Sequence, residues 1–264
     1  MKLKKLLASI AGGWRKTPAV NITRADLIGW TEVDCIQLQE RTYNQDGLIC
    51  MHSTEFAKDP NFASAYARAR DTNSWWGGEL HWRMHVLTWA ARQALPLEGD
   101  FVECGTNRGA SALMILESLG EEMCERSFHL FDTFNGLDPT ISSGKELKHY
   151  EGLYPECYEE VKALFSPYAS VHVVRGSVPQ SLIGQTIEKV AFFHLDMNAA
   201  IPERGAIEFI WPLLVPHAIV VLDDYAWVAC HEQKKTIDEF ARREGVQVLS
   251  LPTGQGLLIK PPRC

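Results

Sequence analysis

The stretch that decides the fold reads Phe101-Val102-Glu103-Cys104-Gly105-Thr106-Asn107-Arg108-Gly109-Ala110-Ser111. It begins as a largely apolar run typical of a buried strand, turns at a glycine, and continues with helical periodicity. A strand that passes through such a turn into a helix opens a βαβ unit, and nucleotide-like cofactors bind at this point of an open α/β sheet. The stretch therefore predicts a cofactor-binding turn in a Rossmann-like sheet.

Strand-like runs alternate with helical stretches from Gly99 to the C-terminus. We predict strands over Phe101–Cys104, Phe128–Asp132, Val171–Val174, Val190–Asp196, Ala218–Asp223, Val246–Leu251 and Gly256–Lys260. This alternation predicts an α/β fold with a sheet of about seven strands and helices on both faces. Residues 1–98 show helical periodicity instead and are predicted to form an N-terminal helical cap on the domain of residues 99–264.

The composition favours a globular protein that acts on small molecules. The chain has 264 residues, of which 46% are hydrophobic and 22% are charged, and its net charge is -7. Lysine and arginine are scattered, which disfavours a nucleic-acid surface. The seven cysteines include no C-x-x-C pair, so we expect no disulfide framework and a cytoplasmic location.

The N-terminal segment Met1–Ala11 combines lysines with a short apolar stretch that ends at Gly12-Gly13. We interpret it as a frayed helix rather than a signal peptide, because its apolar part is too short. No apolar run reaches the length needed to cross a bilayer, so we expect no stable membrane insertion. The sequence is compatible with a homo-oligomer but does not define the oligomeric state.

Acidic residues end two of the predicted strands. Asp223 and Asp224 follow one apolar run, and Asp196 follows another. The carboxyl ends of parallel strands meet at one edge of the sheet, so we expect the three carboxylates to converge. A divalent cation would remove their mutual repulsion, which makes them a predicted metal site. The alternative for Asp223 and Asp224 is that they cap helices and bind the amino group of a cofactor.

The turn after the first strand favours S-adenosylmethionine (SAM) over NAD. A dinucleotide fingerprint needs further glycines so that the backbone can approach a pyrophosphate, and Asn107 and Ala110 occupy those positions. An adenosine cofactor without phosphate does not need that approach. Its amino-acid tail could place its carboxylate at the helix N-terminus, near Ser111.

Two further strand ends carry residues suited to an adenosine. Asp132 ends the second strand, where a carboxylate can accept both ribose hydroxyl protons. Ser177 follows Gly176 after the third strand and can hydrogen-bond an adenine edge. The alternative for Asp132 and Ser177 is helix capping, but agreement among several strand ends favours a common ligand.

With these motifs in order, the chain resembles the class I SAM-dependent methyltransferases, and within them the macrocin O-methyltransferase branch, which methylates hydroxyls on sugars of natural products. The resemblance rests on Gly99–Gly105, Phe131–Leu137, Arg175–Pro179, Leu195–Asn198 and Leu222–Tyr225, and Leu251–Gly256 extends it.

The resemblance implies a role for each motif. It implies that the methionine part of SAM is held by Glu103, Gly105, Thr106 and Asn107, the ribose by Asp132 and Thr133, and the adenine by Gly176 and Ser177. It also implies that a divalent cation, usually Mg²⁺, is bound by Asp196, Asp223 and Asp224, and that Asp196 borders the cofactor and takes part in catalysis.

One position departs from the family pattern. Several members of the branch have an aspartate two residues after the first metal ligand, as a proposed general base, and this chain has Asn198 there. An amide does not accept a proton at neutral pH, so activation falls to the cation or to another base. We predict His231, at the start of the last long helix, as that base. His194 is predicted to be a core residue.

Together these features predict a SAM-dependent, metal-dependent O-methyltransferase whose acceptor is a hydroxyl of a sugar or a small natural-product-like molecule. Two alternatives come from other functional classes. One is an NAD-dependent oxidoreductase on the same type of sheet, and the other is a non-catalytic SAM- or glycan-binding protein on a methyltransferase fold.

Overall fold

The computed structural model describes residues 42–262, which fall into two compact units that divide between Glu55 and Phe56. The first unit contains an antiparallel hairpin of β1 (Tyr43–Gln45) and β2 (Leu48–Cys50). Asp46 and Gly47 connect the strands with positive φ angles of 50° and 70°, as a two-residue hairpin turn of this type requires. The predicted helix over Met1–Ala11 lies outside the described residues.

The second unit contains the helices and the large sheet. Its α-helices are α1 (Pro60–Asp71), α2 (His81–Ala94), α3 (Ala110–Leu119), α4 (Gly144–His149), α5 (Tyr158–Phe165), α6 (Ala200–Ile210) and α7 (His231–Glu244). Its strands are β3 (Asp100–Cys104), β4 (Phe128–Asp132), β5 (Val171–Arg175), β6 (Val190–Leu195), β7 (Leu214–Leu222), β8 (Leu249–Ser250) and β9 (Gly256–Ile259). None of the helices in the described part of the chain has the length and apolar content needed to cross a membrane.

The sheet has seven strands in the order β5-β4-β3-β6-β7-β9-β8. Its first five strands are parallel, and β9 runs antiparallel to both β7 and β8. The predicted α/β fold is confirmed. Since the strand order reverses between β3 and β6, the crevice for a ligand opens at the carboxyl ends of these two strands.

The predicted start of β7 is too late in the sequence. The strand begins at Leu214 rather than at Ala218, and its first part contains Pro216 and His217, which has a φ of 69°. The pairing of β6 with β7 shifts register between Val190 and Phe192. Pro216 and His217 interrupt the apolar run. The sequence pattern therefore predicts the strand only from the point at which its pairing with β6 becomes regular.

Hydrophobic side chains pack on both faces of the sheet. Successive residues of β3 point to opposite faces, so that Phe101 packs with Leu87 and Leu113 on one side while Val102 packs with Ile207 on the other. The helices α1 and α2, which the sequence assigns to a cap, pack within the same compact unit as the sheet.

Hydrogen bonds continue the sheet one residue beyond its strands. Gly105 donates its backbone N–H to Phe131 O over 2.8 Å, Asp196 donates to Cys104 O over 2.9 Å, and Asp223 donates to Leu195 O over 2.9 Å. These bonds hold the first residues of neighbouring loops side by side. The candidate site residues therefore inherit their positions from the rigid sheet.

Candidate active site

Gly105 allows the cofactor turn to lie directly against the loop of Asp196. Its φ is +94°, and a Cβ at this position would stand 1.7 Å from the backbone oxygen of Asp196. No side chain fits in that space, so glycine is required both for the backbone conformation and for the close approach. The predicted turn is thus locked to the neighbouring strand end.

The Asp132 carboxylate is held by backbone amides. Its Oδ2 accepts a hydrogen bond from Asn107 N over 2.8 Å, and its Oδ1 accepts one from Phe134 N over 2.6 Å. Burial raises the pKa of Asp132, although these N–H groups favour its charged form. Because both donors lie in loops, Asp132 is not a helix cap, and its remaining lone pairs can accept hydroxyl protons.

The other predicted cofactor residues surround this turn. The Thr106 hydroxyl is buried and has no hydrogen-bond partner among residues 42–262, which leaves it available to a bound molecule. Ser111 is half-buried in the first turn of α3, and Thr133 bonds the Gly136 carbonyl over 2.5 Å. Gly176 and Ser177 follow β5 at the neighbouring strand end. These residues follow neighbouring strand ends of the sheet, where an adenosine cofactor is predicted to bind.

Sequence reasoning missed Ser74, which comes from the loop between α1 and α2. Its hydroxyl is buried and accepts a hydrogen bond from Ala110 N over 3.3 Å, at the N-terminus of α3. The same loop reaches the Asn107 side chain through the Ser74 carbonyl, over 3.5 Å. A loop without periodicity gives no signal for such a contact.

The structure brings the three predicted acidic residues together at the ends of β6 and β7. Burial raises the pKa of Asp196 well above its usual value, and the nearby charges of Asp223 and Asp224 raise it further. In the described part of the chain no hydrogen-bond donor reaches the Asp196 carboxylate. Such a group is stabilised by a cation, so this donor set fits the predicted divalent ion.

Arg83 is the main residue of the acid cluster that the sequence did not reveal. Its Nη1 lies 2.5 Å from Asp223 Oδ2 and 3.3 Å from Asp224 Oδ1, and the residue is only 7% exposed. Burial would raise the pKa of Asp223, but the positive charges of Arg83 and His194 hold it well below its usual range. Arg83 lies on α2, so a helix of the predicted cap contributes a positively charged guanidinium group to the site.

Gln255 holds the other oxygen of Asp223. Its Nε2 donates to Asp223 Oδ1 over 2.9 Å, and its Oε1 accepts from the Thr253 hydroxyl over 2.9 Å. Both residues lie in the tail motif that the resemblance includes. The motif therefore has a structural role, because its contacts fix the orientation of the Asp223 carboxylate.

His194 is fully buried, as predicted, but it contacts two acids. Its Nδ1 lies 2.8 Å from Glu103 Oε2, and its Nε2 lies 3.6 Å from Asp223 Oδ1. Burial lowers the pKa of His194, but Asp223 and Glu103 outweigh this and raise it to about 10. Oε2 of Glu103 is therefore occupied by His194, whereas Oε1 of Glu103 has no hydrogen-bond partner among the described residues.

Aromatic rings border the approach to these acids. The ring of Tyr154 lies 5.3 Å from that of Trp76 and 5.8 Å from that of Tyr150, between centroids. Burial raises the pKa of Tyr154, and the charges of Asp196, Asp224 and Asp132 raise it further, so its hydroxyl remains protonated. Trp76 is 56% exposed, which suits contact with a bound molecule.

Two further residues of the prediction lie on α7 and in the loop after β6. His231 is the first residue of α7 and is exposed. Asn198 is half-buried in the loop after Asp196, with a φ of 57°. Glu203 is a buried acid that the sequence did not suggest, and its Oε1 accepts a hydrogen bond from Gln233 Nε2 over 3.3 Å.

Comparison with known proteins identifies the family. The sequence model of macrocin O-methyltransferase (TylF) matches residues 80–249. The chain belongs to this family. It is also 26% identical over 161 residues to 8-demethyl-8-(2,3-dimethoxy-alpha-L-rhamnosyl)-tetracenomycin-C 4'-O-methyltransferase of Streptomyces olivaceus, a match that covers 56% of this chain. The chain spans 60% of the length of that relative.

Solved structures share the fold of this TylF-family chain. The O-methyltransferase NovP aligns with a TM-score of 0.60 and 19% identity, over 69% of this chain and 80% of NovP. The calicheamicin methyltransferase CalS11 aligns with a TM-score of 0.55 and 19% identity, over 67% of this chain and 77% of CalS11. Both alignments support the class I methyltransferase fold that the sequence predicts.

Proposed function

We propose that this chain is a SAM-dependent O-methyltransferase whose acceptor is a hydroxyl of a sugar or a sugar-bearing small molecule. The observation that carries the proposal is the adjacency of the Gly105 turn and the Asp196 loop, because a methyl donor bound at this turn would lie beside the acid cluster. The family match and the name of the Streptomyces olivaceus relative, a rhamnosyl-tetracenomycin 4'-O-methyltransferase, support the acceptor class.

Each part of the site has a role in this proposal. The Gly105 turn, Thr106 and Ser111 bind the methionine part of SAM. The Asp132 carboxylate accepts hydrogen bonds from the ribose hydroxyls, and Gly176 and Ser177 border the adenine. The acceptor oxygen forms a bond to the methyl carbon while the carbon–sulfur bond breaks. The hydroxyl proton passes to a base, for which His231 remains our prediction.

The proposed cation site consists of Asp196, Asp223 and Asp224. A bound divalent ion, Mg²⁺ in the family pattern, would lower the pKa of an acceptor hydroxyl and orient it. The chain's own residues prepare this site, since Arg83 and Gln255 fix the oxygens of Asp223. The acidic surroundings also favour the sulfonium charge of SAM over its neutral product.

The proposal is tested by binding and turnover. We expect calorimetry to detect S-adenosylhomocysteine binding, and Asp132→Asn to weaken it by about tenfold or more, since the ribose loses a charged acceptor. Formation of S-adenosylhomocysteine from SAM should require a glycosylated acceptor with neighbouring hydroxyls, and a chelator should reduce it.

Two results would contradict this function. Thermal stabilisation by NAD and not by SAM would favour the oxidoreductase alternative. Binding of SAM without turnover across a broad panel of glycosylated acceptors and divalent ions would favour a non-catalytic binding protein.

A further inference from the structure

The pairing of His194 with Glu103 has the form of a buried carboxylate–histidine unit. Both residues are 0% exposed, and Glu103 Oε2 lies 2.8 Å from His194 Nδ1. When Nδ1 carries the proton and donates it to a carboxylate, the lone pair of the imidazole is on Nε2. Metal-binding histidines are commonly oriented by a carboxylate in this way.

The Nε2 atom of His194 points into the acid cluster without a hydrogen-bond partner in the described part of the chain. It lies 3.6 Å from Asp223 Oδ1, whereas a charge-assisted N–H···O bond would measure about 2.7–2.9 Å. Two atoms that bind one ion at about 2.1 Å lie roughly 3.0–3.4 Å apart. The separation is therefore closer to that of two ligands sharing an ion than to that of a direct hydrogen bond.

A third ligand atom completes the group. Atoms of His194, Asp196 and Asp223 all lie within 4.8 Å of one another, in an arrangement that could hold an ion. Arg83 binds Asp223 Oδ2, and Oδ1 is the oxygen on the side of His194. Oδ1 also accepts a hydrogen bond from Gln255 Nε2 over 2.9 Å, which leaves its second lone pair for an ion. One nitrogen and two carboxylate ligands favour a transition-metal ion more than an all-oxygen site does.

We infer that His194 Nε2 is a ligand of the divalent cation, with Glu103 orienting its ring, and that the site therefore prefers Co²⁺ or Mn²⁺ to Mg²⁺ beyond what the three aspartates alone would produce. The inference rests on the cation site of the proposed function, because it adds a ligand to that site. The competing occupant of Nε2 is a proton, which the neighbouring carboxylates stabilise on the ring. Binding of the ion displaces this proton.

The direct test is pulsed electron paramagnetic resonance on the full chain without a histidine tag, loaded with Mn²⁺. We expect modulation from a directly bound imidazole ¹⁴N in the unaltered protein. This measurement needs no folded variant. If Mn²⁺ is bound and the ¹⁴N signal is absent, the inference is overturned.

Variants add a measure of selectivity. His194→Asn keeps a side-chain nitrogen near the Nδ1 position for Glu103 but removes Nε2, and its fold is checked by circular dichroism. We expect it to weaken Co²⁺ binding about 10- to 100-fold while Mg²⁺ binding changes about threefold or less. An unchanged ratio of the two affinities would overturn the inference.

The outcome also separates this inference from the proposed function. Asp196→Asn should weaken binding of both ions, because Asp196 belongs to the cation site with or without His194. If Mg²⁺ and Co²⁺ bind and depend on Asp196 but not on His194, the proposed site stands and the histidine ligand is wrong. If the unaltered chain binds neither ion, both are wrong.

Discussion

Two aspartates at neighbouring strand ends are stabilised in different ways. Asp132 accepts hydrogen bonds from the backbone amides of Asn107 and Phe134, which lie in the loops of the same sheet edge. Asp223 instead depends on side chains, with Arg83 on one oxygen and Gln255 on the other. The first arrangement follows from the course of the backbone, and the second requires specific residues from distant elements.

This difference separates the cofactor half of the site from the acid half. Only a substitution by proline removes a backbone N–H, so the Asp132 environment is tolerant of most side-chain changes and sensitive to changes in backbone conformation. The Asp223 environment has the opposite sensitivity, since loss of one charged partner leaves a buried carboxylate uncompensated. Substitutions can therefore test the two halves separately.

Gly105→Ala should have the largest effect because its Cβ would overlap the Asp196 carbonyl. With 1.7 Å between the two atoms, the main chain must move, and we expect a loss of unfolding free energy on the order of 4 kcal/mol, measured by chemical denaturation. The control is Gly184→Ala, which has a φ of +84° but nothing within 4 Å, and should cost about 1 kcal/mol. Equal effects would show that close approach is unimportant.

Arg83→Met should lower the unfolding free energy by about 3 kcal/mol, because two carboxylates lose a buried counter-charge. Arg83→Lys is the matched control and should recover part of the loss, since an ammonium keeps the charge but not the planar fork. Urea denaturation at neutral pH measures both. If the Met variant is as stable as the unaltered chain, Asp223 does not depend on its side-chain partner, and the contrast with Asp132 is wrong.

Glu203→Gln should change the pH dependence of stability. Burial and the Asp224 charge raise the pKa of Glu203 to about 8, whereas an unfolded glutamate titrates near about 4.3. Between these values the native state holds a proton that the unfolded chain lacks, so the unfolding free energy falls as pH rises.

We therefore expect the Gln variant to gain on the unaltered chain by up to about 1 kcal/mol per pH unit from pH 5 to pH 8. Glu232→Gln, at an exposed position on α7, should show no such trend. Parallel stability curves for the unaltered chain and Glu203→Gln would mean that Glu203 is charged in the folded protein.

His231→Ala should have the smallest effect on stability. The residue is exposed, so we expect the unfolding free energy to change by about 0.5 kcal/mol or less. If His231 accepts the proton, kcat should fall about 10²- to 10⁴-fold in the methyl-transfer assay. The control is Glu232→Ala, its exposed neighbour on α7. Equal kcat values for the two variants would assign the proton to another acceptor.

Much of the fold and part of the site could be predicted from local patterns. Alternating apolar and helical segments indicate the strands and helices, and the glycine of the Gly105 turn marks the cofactor edge. The convergence of Asp196, Asp223 and Asp224 follows from a general property of parallel sheets. These features depend on residues close together in the sequence or on the topology that those residues impose.

Only the tertiary structure shows which residues form hydrogen bonds and ion pairs with these acids. Arg83 lies 140 positions before Asp223, and Gln255 lies 32 positions after it, and neither has a local signature that predicts the contact. Glu103 and His194 become neighbours only because β3 and β6 pair in register. Sequence periodicity determines which elements form and where they end, but the packing of α2 and the pairing of strands determine which charges meet.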